Sequence, residues 1–203
     1  MKTYPSISRN FVEFEAYVFD KLDGSNTRFE WTKKKGWYKF GTRHRLFDET
    51  DPVFGTAIPL FHNTWAQALA DIAKKERYEE MTVFLEFWGP NSFAGNHNPA
   101  DQKTLTLFDV APYKQGLLGP KDFLKLFGHL DIAKFLGRHH WTRGFVDRIY
   151  DGASGLEHGF EGVIGKSKEG RHDLIMRKAK SKQWIDKVKS QYSAEEAEKL
   201  INS

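Results

Sequence analysis

The chain has 203 residues, a net charge of +4 and no cysteine; it can bury one sizeable domain with at most a small appendage, and a disulfide, a thiolate metal site and a thiol nucleophile are excluded. With 39% apolar and 15% aromatic residues, the composition is that of a folded globule and not of a disordered chain. No stretch approaches the ~20 apolar residues of a membrane span, and no apolar signal-peptide core follows Met1, so a soluble cytoplasmic protein is expected.

Residues 15–20, 27–32 and 37–41 alternate or carry strand-forming side chains, and Lys33-Lys34-Lys35-Gly36 turns the second run into the third. Trp65, Leu69 and Ile72 fall on one helical face, with Thr64 or Asn63 as N-cap and an end near Glu80. Met81 to Trp88 is apolar enough for a central strand, Asn91 to Asp101 reads as a loop, and Thr104 to Val110 as another strand. Pro120 opens a helix that Asp122 to Phe127 continues. Residues 132–150 read as two short strands. Phe160 to Lys166 and Leu174 to Lys178 follow as strands, and Ser181 to Ser190 as a helix. A last helix over Ser193 to Ile201 is marked by the Ser193/Glu196 capping box. Strands dominate without regular β-α alternation, which predicts an α+β fold on antiparallel sheets with flanking helices.

Six segments bear chemistry. Lys21-Leu22-Asp23-Gly24 sets a lysine two residues ahead of Asp-Gly, between Tyr17-Val18-Phe19 and Phe29-Glu30-Trp31. Its plain alternative is a hairpin turn, which Asp-Gly between two strands makes well. A nucleophilic lysine must shed its proton, and burial or neighbouring cations make that easier. Lys178-Ala179-Lys180 offers two such cations. In an extended segment both point to one side, where they could also hold a phosphate, although a basic strand end is often just solvated. Glu161 opens an apolar strand and could bind Mg²⁺ directly or through water; a surface carboxylate beside a glycine turn is the alternative. Glu86 is the one charge inside Val83 to Trp88, and an internal salt bridge and a ligand hydroxyl such as a ribose explain it equally well. Phe108 is either core or a ring on which a base could stack. Arg43 and Arg45, after the third strand, carry guanidinium groups suited to phosphate.

From Lys166 to Lys189 there are nine Lys/Arg against three Asp/Glu, a basic concentration that suits phosphate or nucleic acid. The eight histidines form no metal-ligand pattern, and His139-His140 read as surface or RNA-facing residues.

In series, Lys21-Leu-Asp-Gly, Arg43, Phe84-Leu-Glu86-Phe-Trp-Gly89, Leu107-Phe108-Asp109-Val110, Glu161-Gly-Val-Ile-Gly-Lys166 and Met176-Arg-Lys178-Ala-Lys180 resemble the ordered motifs of the covalent nucleotidyltransferases: DNA ligases, RNA ligases and mRNA-capping enzymes. The likeness runs from about residue 15 to 180 and is strongest to ATP-dependent RNA ligases. DNA ligases usually carry arginine five positions after the lysine, where Asn26 stands here.

The resemblance implies an ATP-grasp-like adenylyltransferase domain over residues 1–190 with a helical tail over 191–203. It implies ATP as the source of a covalent AMP intermediate, Mg²⁺ or Mn²⁺ as metal, and RNA with 3′-OH and 5′-phosphate ends as partner, without a membrane and with the protein acting as a monomer. Lys21 would take AMP; Asp23 would place the lysine and later the sugar end; Arg43 would contact ribose or RNA phosphate. Glu86 would bind the ribose 2′-OH, Phe108 would cover the adenine, Glu161 would help place the metal, and Lys178 and Lys180 would hold the α-phosphate. The residue before the lysine, a glutamate that contacts adenine in some relatives, is Asp20 here. Ligases usually carry a second domain, often an OB fold. Only 23 residues follow Lys180, so a stand-alone catalytic domain is expected. The other readings are a small DNA ligase and a nucleotide- or nucleic-acid-binding module without the chemistry.

Overall fold

Among the described residues there are eight strands and six helices. The computed structural model describes residues 3–8, 10–168 and 173–202. It divides the chain into two units, the first made of Met1–Pro5 and Gly24–Ile132, the second of Ser6–Asp23 and Ala133–Ser203. Among the described residues no helix is long and apolar enough to cross a membrane.

The first unit is built on an antiparallel sheet of order β3-β2-β4-β5, from β2 (Ser25–Thr32), β3 (Gly36–Thr42), β4 (Glu80–Trp88) and β5 (Thr104–Pro112). Side chains alternate across a strand, so Phe29, Val83, Leu85, Phe87, Leu105 and Leu107 share one buried face. Helices α1 (Ala57–Thr64) and α2 (Ala66–Lys75) cover it. Phe61 stacks on Phe29 with ring centroids 4.0 Å apart, and the Trp65 indole N–H donates to the Leu105 carbonyl. Each such ring contributes about 1.5–3 kcal/mol by leaving water. Helix α3 (Pro120–Phe127) starts on its proline, as the sequence predicts.

The second unit holds an antiparallel sheet of order β6-β1-β7-β8, from β1 (Phe14–Lys21), β6 (Phe135–Trp141), β7 (Gly162–Ser167) and β8 (Ile175–Lys180). One face carries Phe14, Ala16, Val18, Trp141, Val163 and Ala179. They form a core with Phe145 and Ile149 of α4 (Arg143–Tyr150). Helices α5 (Lys182–Gln191) and α6 (Ala194–Asn202) complete the unit. The Ser193/Glu196 capping box forms: the Ser193 hydroxyl donates to Glu196 at 2.7 Å, and the Glu196 N–H donates back to Ser193 Oγ at 3.4 Å.

The α+β class on antiparallel sheets is as the sequence predicts. Two local expectations are corrected, and the plain alternative for Asp23-Gly24 falls. Asp23-Gly24 is no hairpin turn: β1 and β2 lie in different sheets, and the chain passes from one unit to the other there. Thr64 ends a helix instead of opening one; the chain breaks at Trp65 (φ −120°), and α2 stops at Lys75 before the left-handed Arg77 (φ 56°). Residues 132–150 hold one strand and one helix, with the Thr142 hydroxyl accepting from the Phe145 N–H as N-cap.

Candidate active site

Strand register in the second unit makes the site. Lys21 of β1 pairs with Gly162 of β7, and Gly162 pairs with Lys180 of β8. The next row on the same face is Phe19, Ile164 and Lys178. Lys21, Lys178 and Lys180 therefore stand on the face opposite the apolar core. Glu161 enters just ahead of this row. Gly162 has φ +134°, and a Cβ there would lie 2.1 Å from the Ala179 carbonyl oxygen. Only glycine allows the close β7–β8 approach at this point.

The Lys21 ammonium lies 2.5 Å from Glu161 Oε1, and the Lys180 ammonium lies 3.4 Å from the same oxygen. Glu161 and Lys180 are buried, whereas the Lys21 side chain keeps 21% of its surface exposed. Lys180 also donates to the Leu200 carbonyl of α6 at 2.7 Å, and its Nζ sits 4.0 Å from the centre of the Trp184 ring. Burial pulls the Lys180 pKa down to about 8; Lys21 and Lys178 push the same way, and Glu161 opposes them. Lys21, Lys178 and Lys180 against Glu161 and Asp23 still leave the cluster with excess positive charge, the complement of a phosphate. Asp23 Oδ2 accepts the Trp184 indole N–H at 2.6 Å.

Asp20 lies on the other side of β1, where its Oδ1 accepts the Gly159 N–H at 2.6 Å. Burial raises its pKa against that hydrogen bond.

Glu86 and Phe108 belong to the first unit and lie on the sheet face opposite its core, and Arg43 follows β3 in the same unit. Glu86 is half-buried, paired in register with Asn26 and Thr106. Between β4 and β5 the register slips: Phe84 pairs with Asp109 and Leu85 with Leu107. Phe108 is the extra residue of a β-bulge, half-buried between buried neighbours. Tyr4 covers this ground. Its ring meets Phe84 and Phe108 edge-on at 5.1 and 5.3 Å, and its hydroxyl donates to Asp109 Oδ2 at 2.5 Å. Burial, then the Asp109 charge, holds the phenol pKa well above its ordinary value, with Arg43 opposing and Glu86 adding. Arg43 donates to the Pro5 carbonyl at 3.1 Å, while its buried Nε finds no acceptor among the described residues.

Sequence reasoning missed Tyr4, Trp184 and the fully buried Arg28, which donates to the Thr42 carbonyl. Asp109 lay within a quoted motif without a role. His139 and His140 diverge: His139 stacks on Phe145, and His140 is exposed near Glu15.

Among the described residues no three His, Cys, Asp or Glu side chains are grouped to hold a metal ion. Glu161 is the carboxylate paired with Lys21 and Lys180. One such carboxylate fits a hard divalent ion that keeps its waters and takes its other ligands from phosphates.

No protein-family model and no curated protein sequence matches the chain. Solved structures do. The chain is similar to the Naegleria gruberi RNA ligase with pyrophosphate, at 16% identity and a TM-score of 0.62, over 87% of this chain and 52% of that one. It is also similar to a variant of that ligase with ATP and Mn, at 14% identity and a TM-score of 0.61, over 85% and 51%. A variant with AMP and Mn gives 15% and 0.61 over the same shares. The chain spans about half the length of these ligases. Over the shared part, its fold is that of this RNA ligase.

Proposed function

We propose that the chain is an ATP-dependent RNA ligase that works through a lysyl-AMP intermediate on Lys21. The observation that carries the reading is the lysine cluster: a partly exposed amine shares one buried carboxylate oxygen with Lys180, amid excess positive charge. The Lys21 nitrogen attacks the α-phosphorus of ATP; an N–P bond forms, the bond to the pyrophosphate oxygen breaks, and the amine gives up its proton. The 5′-phosphate of RNA then displaces the lysine and takes the AMP. A 3′-OH finally displaces AMP and closes the strand. Each step needs positioning and charge neutralisation more than covalent assistance.

Lys178 and Lys180 face the α-phosphate as cationic donors, and Lys180 must be protonated to do so. In the resting chain the Lys21 ammonium sits against Glu161, and its proton must leave for the nitrogen to attack. Glu161 would hold Mg²⁺ or Mn²⁺, which would neutralise phosphate charge when bound. The same reading gives Arg43 a ribose or RNA phosphate, Glu86 the ribose 2′-OH and Phe108 the adenine face. It gives Asp20 a place in nucleotide binding and Asp23 the orientation of the lysine and the sugar end.

With α-³²P-labelled ATP and Mg²⁺, the chain should acquire an acid-stable label that Lys21→Ala abolishes, and it should seal nicked or single-stranded RNA better than nicked DNA. Equal labelling of Lys21→Ala, or sealing of DNA alone, overturns this reading in its nucleophile or its substrate respectively.

A further inference from the structure

Trp184 touches two groups of the lysine cluster at once. It is 2% exposed and stands in the first turn of α5, directly after β8. Ser181 anchors that turn: its hydroxyl accepts the Trp184 backbone N–H at 3.1 Å and donates to the Phe160 carbonyl at 2.6 Å. The Ser181 N–H donates to the Glu161 carbonyl at 2.9 Å. The indole is thus tied to the backbone that carries Glu161 and Lys180. A tryptophan has one polar atom, a donor, and here it is spent on Asp23 Oδ2 at 2.6 Å across 161 positions of sequence. The electron-rich ring face is spent on the Lys180 ammonium, 4.0 Å from the ring centre. One rigid plane therefore fixes a carboxylate at its edge and an ammonium over its face.

We propose that Trp184 is a positioning residue of the Lys21 reaction, its N–H aiming the Asp23 carboxylate and its ring seating the Lys180 ammonium. This rests on the ligase reading. Charged hydrogen bonds and cation–π contacts to a buried aromatic are both stiff and directional. Neither Asp23 nor Lys180 need be reordered when a nucleotide arrives, so the cost of assembling the site is met on folding. Phenylalanine at this position keeps a ring beneath Lys180 and deletes only the donor to Asp23.

The test is single-turnover formation of the Lys21–AMP adduct by the full chain and by Trp184→Phe, over a range of ATP concentrations. Loss of one charged hydrogen bond in the transition state predicts a rate constant about tenfold lower with the ATP half-saturation unchanged. A merely structural tryptophan would lower the amplitude, the fraction of active molecules, and leave the rate constant alone; that result, or an unchanged rate, overturns the proposal. The indole ¹⁵N–¹H resonance of Trp184 gives a second measurement that leaves the tryptophan in place. Asp23→Ala should move it upfield, and a resonance that stays put shows that Asp23 is not held. A wild-type chain that forms no adduct overturns the ligase reading and this role with it. A normal wild-type adduct with unaltered Trp184→Phe kinetics overturns only the role of Trp184.

Discussion

Lys180 is a cation in a place that disfavours cations, and its titration makes this measurable. Its pKa is about 8 against the 10.5 of an ordinary lysine. Below pH 8 the folded and unfolded chains both hold the proton, and folding bears the full cost of burying it. Between about pH 8 and 10.5 the folded chain has released a proton that the unfolded chain keeps, so stability rises with pH through this window. Relative to Lys180→Met, the wild-type chain should gain on the order of 3 kcal/mol between pH 7.5 and 10.5 in urea unfolding; parallel curves would show that Lys180 titrates normally. Tyr4 makes the opposite contribution, since its hydroxyl satisfies a buried carboxylate. Tyr4→Phe should cost about 1.5–3 kcal/mol, the range for a hydrogen bond to a charged group, read from the same urea midpoints. Neither Tyr4 nor Trp184 could be found from local sequence. Their partners lie 105 and 161 positions away, and a lone buried aromatic looks the same whether its polar atom is used or idle. Lys21, Glu161 and Lys180 were legible because each sits in a short stretch whose spacing has chemical meaning.

Elements were legible where one period dominated. β4 is mostly apolar and lies inside its sheet, and a capping box from Ser193 to Glu196 opens α6. α4 was missed because Trp141, Phe145, Val146, Ile149 and Tyr150 are strand-forming types; only the Thr142 cap and the four-residue spacing of Phe145 and Ile149 mark a helix. α1 was missed because Pro59 reads as a breaker, although the first helical turn tolerates proline. The β7 entry is the element on which the lysine row depends. Gly162→Ala should cost about 2 kcal/mol or more, because it adds a Cβ against the Ala179 carbonyl at a φ that L-residues avoid. Gly152→Ala, at φ +72° with nothing within 4 Å, is the control and should cost about 1 kcal/mol. Equal losses in thermal or urea unfolding would mean that the β7–β8 approach is not tight.

For the whole chain, motif order carried further than overall sequence likeness. Identity to the solved RNA ligases is only 13–16%, yet several residues quoted for the resemblance, such as Lys21, Gly162 and Phe108, fall at a strand end or a bulge. The division into two units, with the chain crossing at Pro5/Ser6, Asp23/Gly24 and Ile132/Ala133, was not legible, because no linker-like composition marks those points. On the proposed ligase reading, the basic run from Lys166 to Lys189 would make RNA binding largely electrostatic. Raising salt from about 50 to 200 mM should weaken the binding of single-stranded RNA about tenfold or more, as expected for roughly three phosphate contacts; binding indifferent to salt in a fluorescence titration would oppose this. The account as a whole is tested most directly by mapping the AMP adduct by peptide mass spectrometry after incubation with ATP and Mg²⁺. It predicts one AMP on Lys21, absent without metal and absent in Lys21→Ala. A folded wild-type chain that stays unmodified, or an adduct on another side chain, would contradict it.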